Sequence, residues 1–184
     1  MKKIILLLLS VFIINIFAIT VQEKKQIFLS KVLPVVQKVY ADNLKNARYV
    51  HPISITLAQA AMESGWGTSR FFREANNIFG VWSYDAKGPR IAAKQKRQGK
   101  TIWLKKYNSL EESVQAYYKT ISRKRVYAKF RELNAQGVNV YELVKELRMY
   151  SEKRDVYAQE LAQIIRFNKF TQYDVTKATS KASQ

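Results

Sequence analysis

Ile55-Thr56-Leu57-Ala58-Gln59-Ala60-Ala61-Met62-Glu63-Ser64-Gly65-Trp66-Gly67-Thr68-Ser69 decides how the rest of the chain reads. Pro52, just upstream, suits the first turn of a helix, where its missing N–H costs nothing. Ile55, Ala58 and Met62 recur at helical spacing, and Leu57 and Ala61 widen the stripe. Gly65 and Gly67 stop the helix, since glycine takes the left-handed conformation that helix ends often need. Glu63 therefore falls on the last turn of an apolar, alanine-rich helix. The negative end of the helix dipole repels a carboxylate there, and burial disfavours its charge further. Both effects favour the protonated form near neutral pH, which is the state a general acid requires. The plainer reading is a solvated glutamate at a helix end. The neighbouring residues have to decide between them.

The chain has 184 residues, enough for one domain with a real core. Nearly half of them are hydrophobic, which argues against wholesale disorder. There is no cysteine, so disulfides and thiolate metal sites are excluded. His51 is the single histidine and leaves no histidine cluster for zinc; beside Pro52 it reads as a loop residue. No metal and no cofactor are expected. The formal net charge is +18, from 32 Lys and Arg against 14 Asp and Glu. Such a charge implies a polyanionic partner: nucleic acid, an anionic membrane or an acidic polymer. Charge alone does not choose among them, and a solvated, self-repelling surface is the plainer reading.

Met1-Lys2-Lys3 is a short positive start, and Ile4 to Ile19 is almost purely apolar, broken by Ser10 and Asn15. That pattern fits a secretory signal over residues 1–19, with Ala18 as a small residue at the cleavage edge. The run is short for a spanning helix, which needs about 20 residues. Ile16 is bulky where cleavage prefers a small residue, so an uncleaved membrane tether through residues 4–19 is the other reading. Either way an exported, periplasmic or cell-envelope protein is expected, which argues against nucleic acid as partner.

Residues 22–46 read as helix, with Ile27, Phe28, Val32, Val35, Val36 and Val39 largely on one face and a kink or restart at Pro34. The central helix follows at about residues 52–64. Asn76-Asn77-Ile78-Phe79-Gly80 suggests a tight turn. Trp82 and Tyr84 then offer flat apolar faces of the kind a sugar ring stacks on; for Phe79 the core is the favoured place. Residues 86–106 carry eight Lys or Arg and no acid, and Thr101 to Leu104 alternate like a strand. A small basic β-hairpin beside an otherwise helical body is expected. Ser109 with Glu112 opens the next helix as a capping box, with Leu110, Val114, Tyr117, Tyr118 and Ile121 on its buried side. Tyr127, Phe130 and Leu133 mark another helix, ended near Gly137. Asn139 and Glu142 repeat the cap before Leu143, Val144 and Leu147. The last helix begins near Asp155, with Tyr157, Leu161, Ile164 and Ile165 in phase. The tail, residues 175–184, reads as disordered from its Ser, Thr, Lys and Ala.

Ala58 to Ser69, followed by Asn-Asn-Ile-Phe-Gly at 76–80, resembles the bacterial glucosaminidase domain, glycoside hydrolase family 73, with its flagellar-type and Bax-type members. Tyr107-Asn108-Ser109 leading to Ser113, and Tyr157 to Asn168, also look like that family, and the resemblance spans roughly residues 22–174. The Bax-type branch matches best, from the long first helix with Pro34 and from Phe71 to Asn77. The resemblance implies a mainly α, lysozyme-like fold: a helical lobe, and a small β-hairpin lobe flanking the cleft. It implies cleavage of peptidoglycan glycan strands after N-acetylglucosamine, with Glu63 as the catalytic acid and Tyr157 close to it. Ser64, Asn77, Phe79, Gly80, Trp82 and Trp103 are the expected substrate-binding residues. Periodicity alone would place Tyr157 in the core. Several family members carry a glutamate in the β lobe, whereas this chain has no acid between Asp85 and Glu111, and Gln98 or Trp103 falls near that place.

The expectation is a monomeric endo-β-N-acetylglucosaminidase. The rivals are a muramidase or lytic transglycosylase and a catalytically inactive wall-binding module. With no β-lobe carboxylate, the 2-acetamido oxygen of the substrate is the expected nucleophile, a known exception to the two-carboxylate scheme. Tyr157 is the candidate to orient that amide.

Overall fold

α2 (Ile53–Ser64) is sheathed by the rest of the chain: only Met62 and Glu63 are not fully buried. Its alanines, Ala58, Ala60 and Ala61, let neighbours approach closely. The computed structural model describes residues 2–44 and 50–175, side chains from residue 20 onward. α1 (Lys2–Asn43) lays Phe28, Val32, Val36 and Val39 against α2 and against α4 (Leu110–Arg123). α7 (Asp155–Phe167) and a 3₁₀ turn at Phe170–Tyr173 cover the other side of α2. Between them run the short α3 (Arg70–Ala75), α5 (Ala128–Ala135) and α6 (Val140–Leu143), with 3₁₀ turns at Arg125–Tyr127 and Val144–Tyr150. The body is thus mainly helical, as expected.

The β lobe is one antiparallel ribbon, β1 (Arg90–Arg97) and β2 (Lys100–Lys105). Gln98 and Gly99 both take positive φ, 49° and 75°, which is the two-residue turn whose twist suits a hairpin. The register shifts between Ala92 and Lys96. Trp82 pairs with Leu104 as an isolated bridge, and Leu104 is the ribbon's buried anchor.

Several sequence expectations change. α1 runs through Pro34 without restarting. Pro34 is exposed, so the carbonyl it cannot bond, one turn back, faces water and the break costs little. Ile27 is 56% exposed, because the buried stripe runs through Phe28 and leaves its neighbour to one side. The segment after Asn139 is not a full helix. It tightens after Leu143 into a 3₁₀ run, whose threefold spacing puts Val144, Leu147 and Tyr150 on one side. Ser109 caps the N–H of Glu112 as expected, but Glu112 reaches back to Asn108, one residue before the residue a capping box would use. The 3₁₀ turn at Phe170–Tyr173 had no sequence signal. Among the described residues no helix is long and apolar enough to cross a membrane. The expected signal or tether falls on side chains outside the described residues, as does the expected disordered tail beyond Val175.

Pro52 caps α2 without a side-chain hydrogen bond. The cap comes instead from the far end of the chain. Asp174 accepts from the Ser54 N–H and the Ser54 hydroxyl, both at 2.8 Å. An acid at a helix N-terminus satisfies a donor that would otherwise be orphaned. Asp174→Ala should therefore cost about 1–2 kcal/mol, read as a lowered Tm in thermal melts. An unchanged Tm would show that this cap carries nothing.

Candidate active site

Glu63 is positioned by how α2 ends. Gly65 is left-handed (φ 57°, ψ 47°), and Trp66 donates its N–H to the Ala61 carbonyl at 2.8 Å. Ser64, fully buried, donates its hydroxyl to the Ala60 carbonyl at 2.6 Å and accepts from the Gly67 N–H at 2.8 Å. Ser64 thus donates and accepts within the chain reversal, buried beside the acid where substrate binding was expected of it.

Asn77 is likewise engaged within the fold. It is 1% exposed. Its amide donates to the carbonyls of Val81 and Lys105, at 2.9 and 2.8 Å, and its oxygen accepts from the Val81 N–H at 2.9 Å. Asn77 ties the turn to β2. The Phe79 ring stacks on Tyr117 at 4.1 Å between centroids, so its side chain is core. Gly80, at φ +65°, comes next to the acid: a Cβ there would stand 3.8 Å from Glu63 Oε2.

Glu63 is half-buried, and its Oε1 accepts the Tyr157 hydroxyl proton at 2.9 Å. Burial is the largest influence and pushes its carboxyl above the ordinary range; the Tyr157 hydrogen bond and the Lys153 charge pull it partly back. Tyr157, on the first turn of α7, is 2% exposed. The Tyr150 ring lies parallel to it at 5.8 Å, and the Tyr150 hydroxyl donates to the Phe79 carbonyl at 3.1 Å. Tyr127 is pushed up to about 12, by burial first and then by Glu63.

A cavity of about 220 Å³ opens beside Gly80, with Trp82, Tyr84, Tyr127 and Tyr150 in its walls. Trp82, 39% exposed, offers part of its ring there, and Tyr84 stands 87% exposed beside it. Glu63 and Tyr157 are not themselves in the lining of this cavity, nor in that of the larger grooves, of about 450 and 630 Å³, that run along α7; the cavity reaches the acid's side through Gly80. Trp103 is absent from the cavity wall. Next to Leu104 in β2, it points to the opposite face of the ribbon, under the Arg90 guanidinium at 4.2 Å.

Tyr157, the expected guide of a substrate amide, has its proton and an oxygen lone pair engaged inside the fold. Its oxygen already accepts from the Gln59 amide at 2.8 Å, and its one proton goes to Glu63. Sequence reasoning passed over Gln59, Tyr127, Tyr150 and Lys153. Gln59 did leave a signal: a polar side chain one turn before Glu63 inside an apolar helix needs a buried partner. Two carboxylates stand near the hairpin, each with a partner. Asp85 accepts from the Lys87 N–H at 2.8 Å, and Glu152 pairs with Arg97. Among the described residues no group of acids and histidine gathers as a metal site.

A family model described as Glucosaminidase, mannosyl-glycoprotein endo-beta-N-acetylglucosaminidase, matches residues 38–170. Over 112 residues the chain is 32% identical to protein bax of Escherichia coli strain K12, covering 58% of this chain and 39% of that protein. Over 132 residues it is 33% identical to exo-glucosaminidase LytG of Bacillus subtilis strain 168, covering 62% and 46%. The chain thus spans less than half the length of these two relatives. The fold is similar to that of a peptidoglycan hydrolase from Sphingomonas sp. A1, with TM-score 0.62, 23% identity and coverage of 80% of this chain and 92% of that one. It is also similar to a C-terminally truncated glycoside hydrolase domain from Salmonella typhimurium FlgJ, with TM-score 0.59, 24% identity and coverage of 79% and 97%. With the family model covering most of its length, the chain belongs to the glucosaminidase family, the glycoside hydrolase family 73 its motifs resemble.

Proposed function

We propose that this chain is an endo-acting β-N-acetylglucosaminidase that cleaves peptidoglycan glycan strands with Glu63 as general acid. One observation carries the reading: Glu63 is a half-buried carboxyl, raised by that burial, with one oxygen held by Tyr157 and the other facing Gly80. A protonated Oε2 donates to the glycosidic oxygen as the bond to the anomeric carbon breaks. The acetamido oxygen of the same sugar closes on that carbon. The Glu63 carboxylate then takes a proton from the water that opens the ring intermediate. The amide needs a group to aim it, and Tyr127 fits: it lines the cavity, Glu63 is felt at its phenol, and its hydroxyl has no hydrogen-bond partner among the described residues. Trp82 offers a stacking face for a sugar.

The family description supports endo cleavage of a glucosaminide bond. The +18 charge and the acid-free hairpin support attraction to a carboxylate-bearing wall polymer, which salt would screen. An exported protein acting in the cell envelope as a monomer, with no nucleic-acid partner, follows from this reading, and residues 4–19 would serve as signal or tether.

Glu63→Gln should lose about 100- to 10,000-fold in rate. Its Tm should hold or rise at neutral pH, because a carboxyl raised by burial loses folding stability as pH climbs through its titration and the amide does not titrate. More than about a tenth of the wild-type rate on purified peptidoglycan would remove Glu63 as the acid. Mass analysis of the products checks the bond: a reducing-end N-acetylglucosamine is expected, and an anhydro-muramic end would mean a lytic transglycosylase.

Tyr127→Phe should lower kcat with little change in Tm, since its hydroxyl has no hydrogen-bond partner among the described residues. Full activity in that variant would leave the amide without its proposed guide. Proton NMR of the first product should show the β-anomer retained and a thiazoline mimic of the ring intermediate should inhibit. An initial α-anomer would mean inversion and a base outside the β lobe, with Asp85 the first to test.

A further inference from the structure

Behind Tyr157 runs a line of buried polar groups that no step above uses. Gln59 donates its amide N–H to the Tyr157 oxygen at 2.8 Å. The Gln59 carbonyl accepts the Tyr117 hydroxyl proton. The Tyr117 oxygen lies 2.9 Å from Nε2 of His51. Gln59 and Tyr117 are fully buried, and His51 is 3% exposed. Thr56 sits beside His51 and sends its own proton to Tyr118.

Each phenol has one proton, so the directions can be counted. Tyr117 gives its proton to Gln59 and must accept from His51, which is therefore the tautomer with hydrogen on Nε2. Burial lowers His51 to about 3, so it stays neutral and keeps that role. Gln59 then presents N–H, not C=O, to Tyr157. Tyr157 has an oxygen that already accepts and a single proton to give, and the acceptor left to it is Oε1 of Glu63.

A reversed line can be drawn, with Glu63 donating to Tyr157 and every proton moved along. It fails whenever Glu63 is ionised, because a carboxylate cannot donate. On the mechanism above, that state recurs each time the acid has given up its proton. Reversal would also need the buried amide to turn over and His51 to change tautomer.

We propose that Gln59, held by Tyr117 and His51, is a positioning residue that makes Tyr157 a one-way donor to Oε1, so that Glu63 carries its acid proton only on Oε2, the oxygen facing Gly80. A proton on Oε1 would be bonded to Tyr157 and lost to catalysis. The proposal rests on Glu63 being the general acid. The groups that face Glu63 are Tyr157 from α7, Lys153 just before it, Tyr150 and Tyr127 from the 3₁₀ turns at Val144–Tyr150 and Arg125–Tyr127, and Gly80. Of these, Tyr157 is the one whose proton the amide directs.

The test uses the full chain carrying Gln59→Met, which keeps the side-chain length and removes the donor. Freed from the amide, Tyr157 can accept from a protonated Glu63, which stabilises the neutral acid. The Glu63 titration should then move to higher pH, and with it the basic limb of the pH–kcat profile, while kcat falls about tenfold. Tyr117→Phe keeps the ring stacked on Phe79 and frees the amide to turn; it should shift the titration the same way by less. In a Tyr157→Phe background, Gln59→Met should add no further shift. The readout is carboxyl-carbon NMR of glutamate-labelled protein, assigned with Glu63→Gln. It reports the titration whether or not Glu63 is the acid, so the two readings fail separately. A general loss of packing would lower Tm and leave the titration in place. An unmoved Glu63 titration in folded Gln59→Met and Tyr117→Phe, or an equal shift with Tyr157 already removed, would overturn the proposal.

Discussion

The hydrogen bond from the Tyr157 hydroxyl to the half-buried Glu63 is the contact around which the site is arranged, and on the general-acid reading Glu63 has to be dry enough to hold a proton and still have one oxygen accessible. A carboxyl in water ionises below neutral pH, and burial alone would make it a weak acid with no defined direction. The pairing with Tyr157 resolves this. It favours the carboxylate that the proposed proton transfer would leave behind, and it occupies one oxygen and leaves the other on the Gly80 side. α7 exists, in this sense, to bring Tyr157 to α2, and the 3₁₀ run before it brings Tyr150 flat against the Tyr157 ring. Stacked aromatic faces in a sealed site hold the phenol without adding a competing donor.

The turn after α2 is built to the same end. Ser64 and Asn77 were expected to meet substrate. Both instead spend their polar atoms on backbone: Ser64 on the reversal at Gly65–Gly67, Asn77 on the union of the Val81 segment with β2. Here the two fix where Gly80 passes Glu63, and Gly80 leaves room beside Oε2 that a side chain would take.

The helical body was legible because apolar spacing reports burial directly: the stripe from Phe28 to Val39 and the set Val114, Tyr117, Tyr118 and Ile121 lie where periodicity placed them. Glu63 was legible for a related reason, a charge in an apolar helix just before two glycines. The partners of Glu63 were harder. Tyr157 looks like any core aromatic in its helix, and its role came from resemblance. Gln59, Tyr117 and His51 lie on separate elements, and their alignment is a property of packing that no local pattern encodes. The contact of Trp103 with Arg90 was not legible, because alternation shows that two strand faces differ but not what each of them meets. The 3₁₀ run at Val144–Tyr150 was misread because an apolar residue every three or four positions suits both helix types.

The β lobe obeys a different balance. In its ladder Arg90 stands opposite Lys105, and Arg97 opposite Lys100. Like charges directly opposite on a two-stranded ribbon are unfavourable, and a lone hairpin is marginal to begin with. The ribbon is held at its root by Asn77 on the Lys105 carbonyl, by Arg70 on the Ala92 carbonyl and by the buried Leu104. Arg90 shields part of its charge over Trp103, and Arg97 pairs with Glu152 of the helical body. The remaining cations face water. Such a surface stays folded despite its charge, and so the charge is available to something else. On the wall-hydrolase reading, an anionic polymer laid along the hairpin would relieve repulsion that the ribbon otherwise carries, and attraction and local stability would rise together.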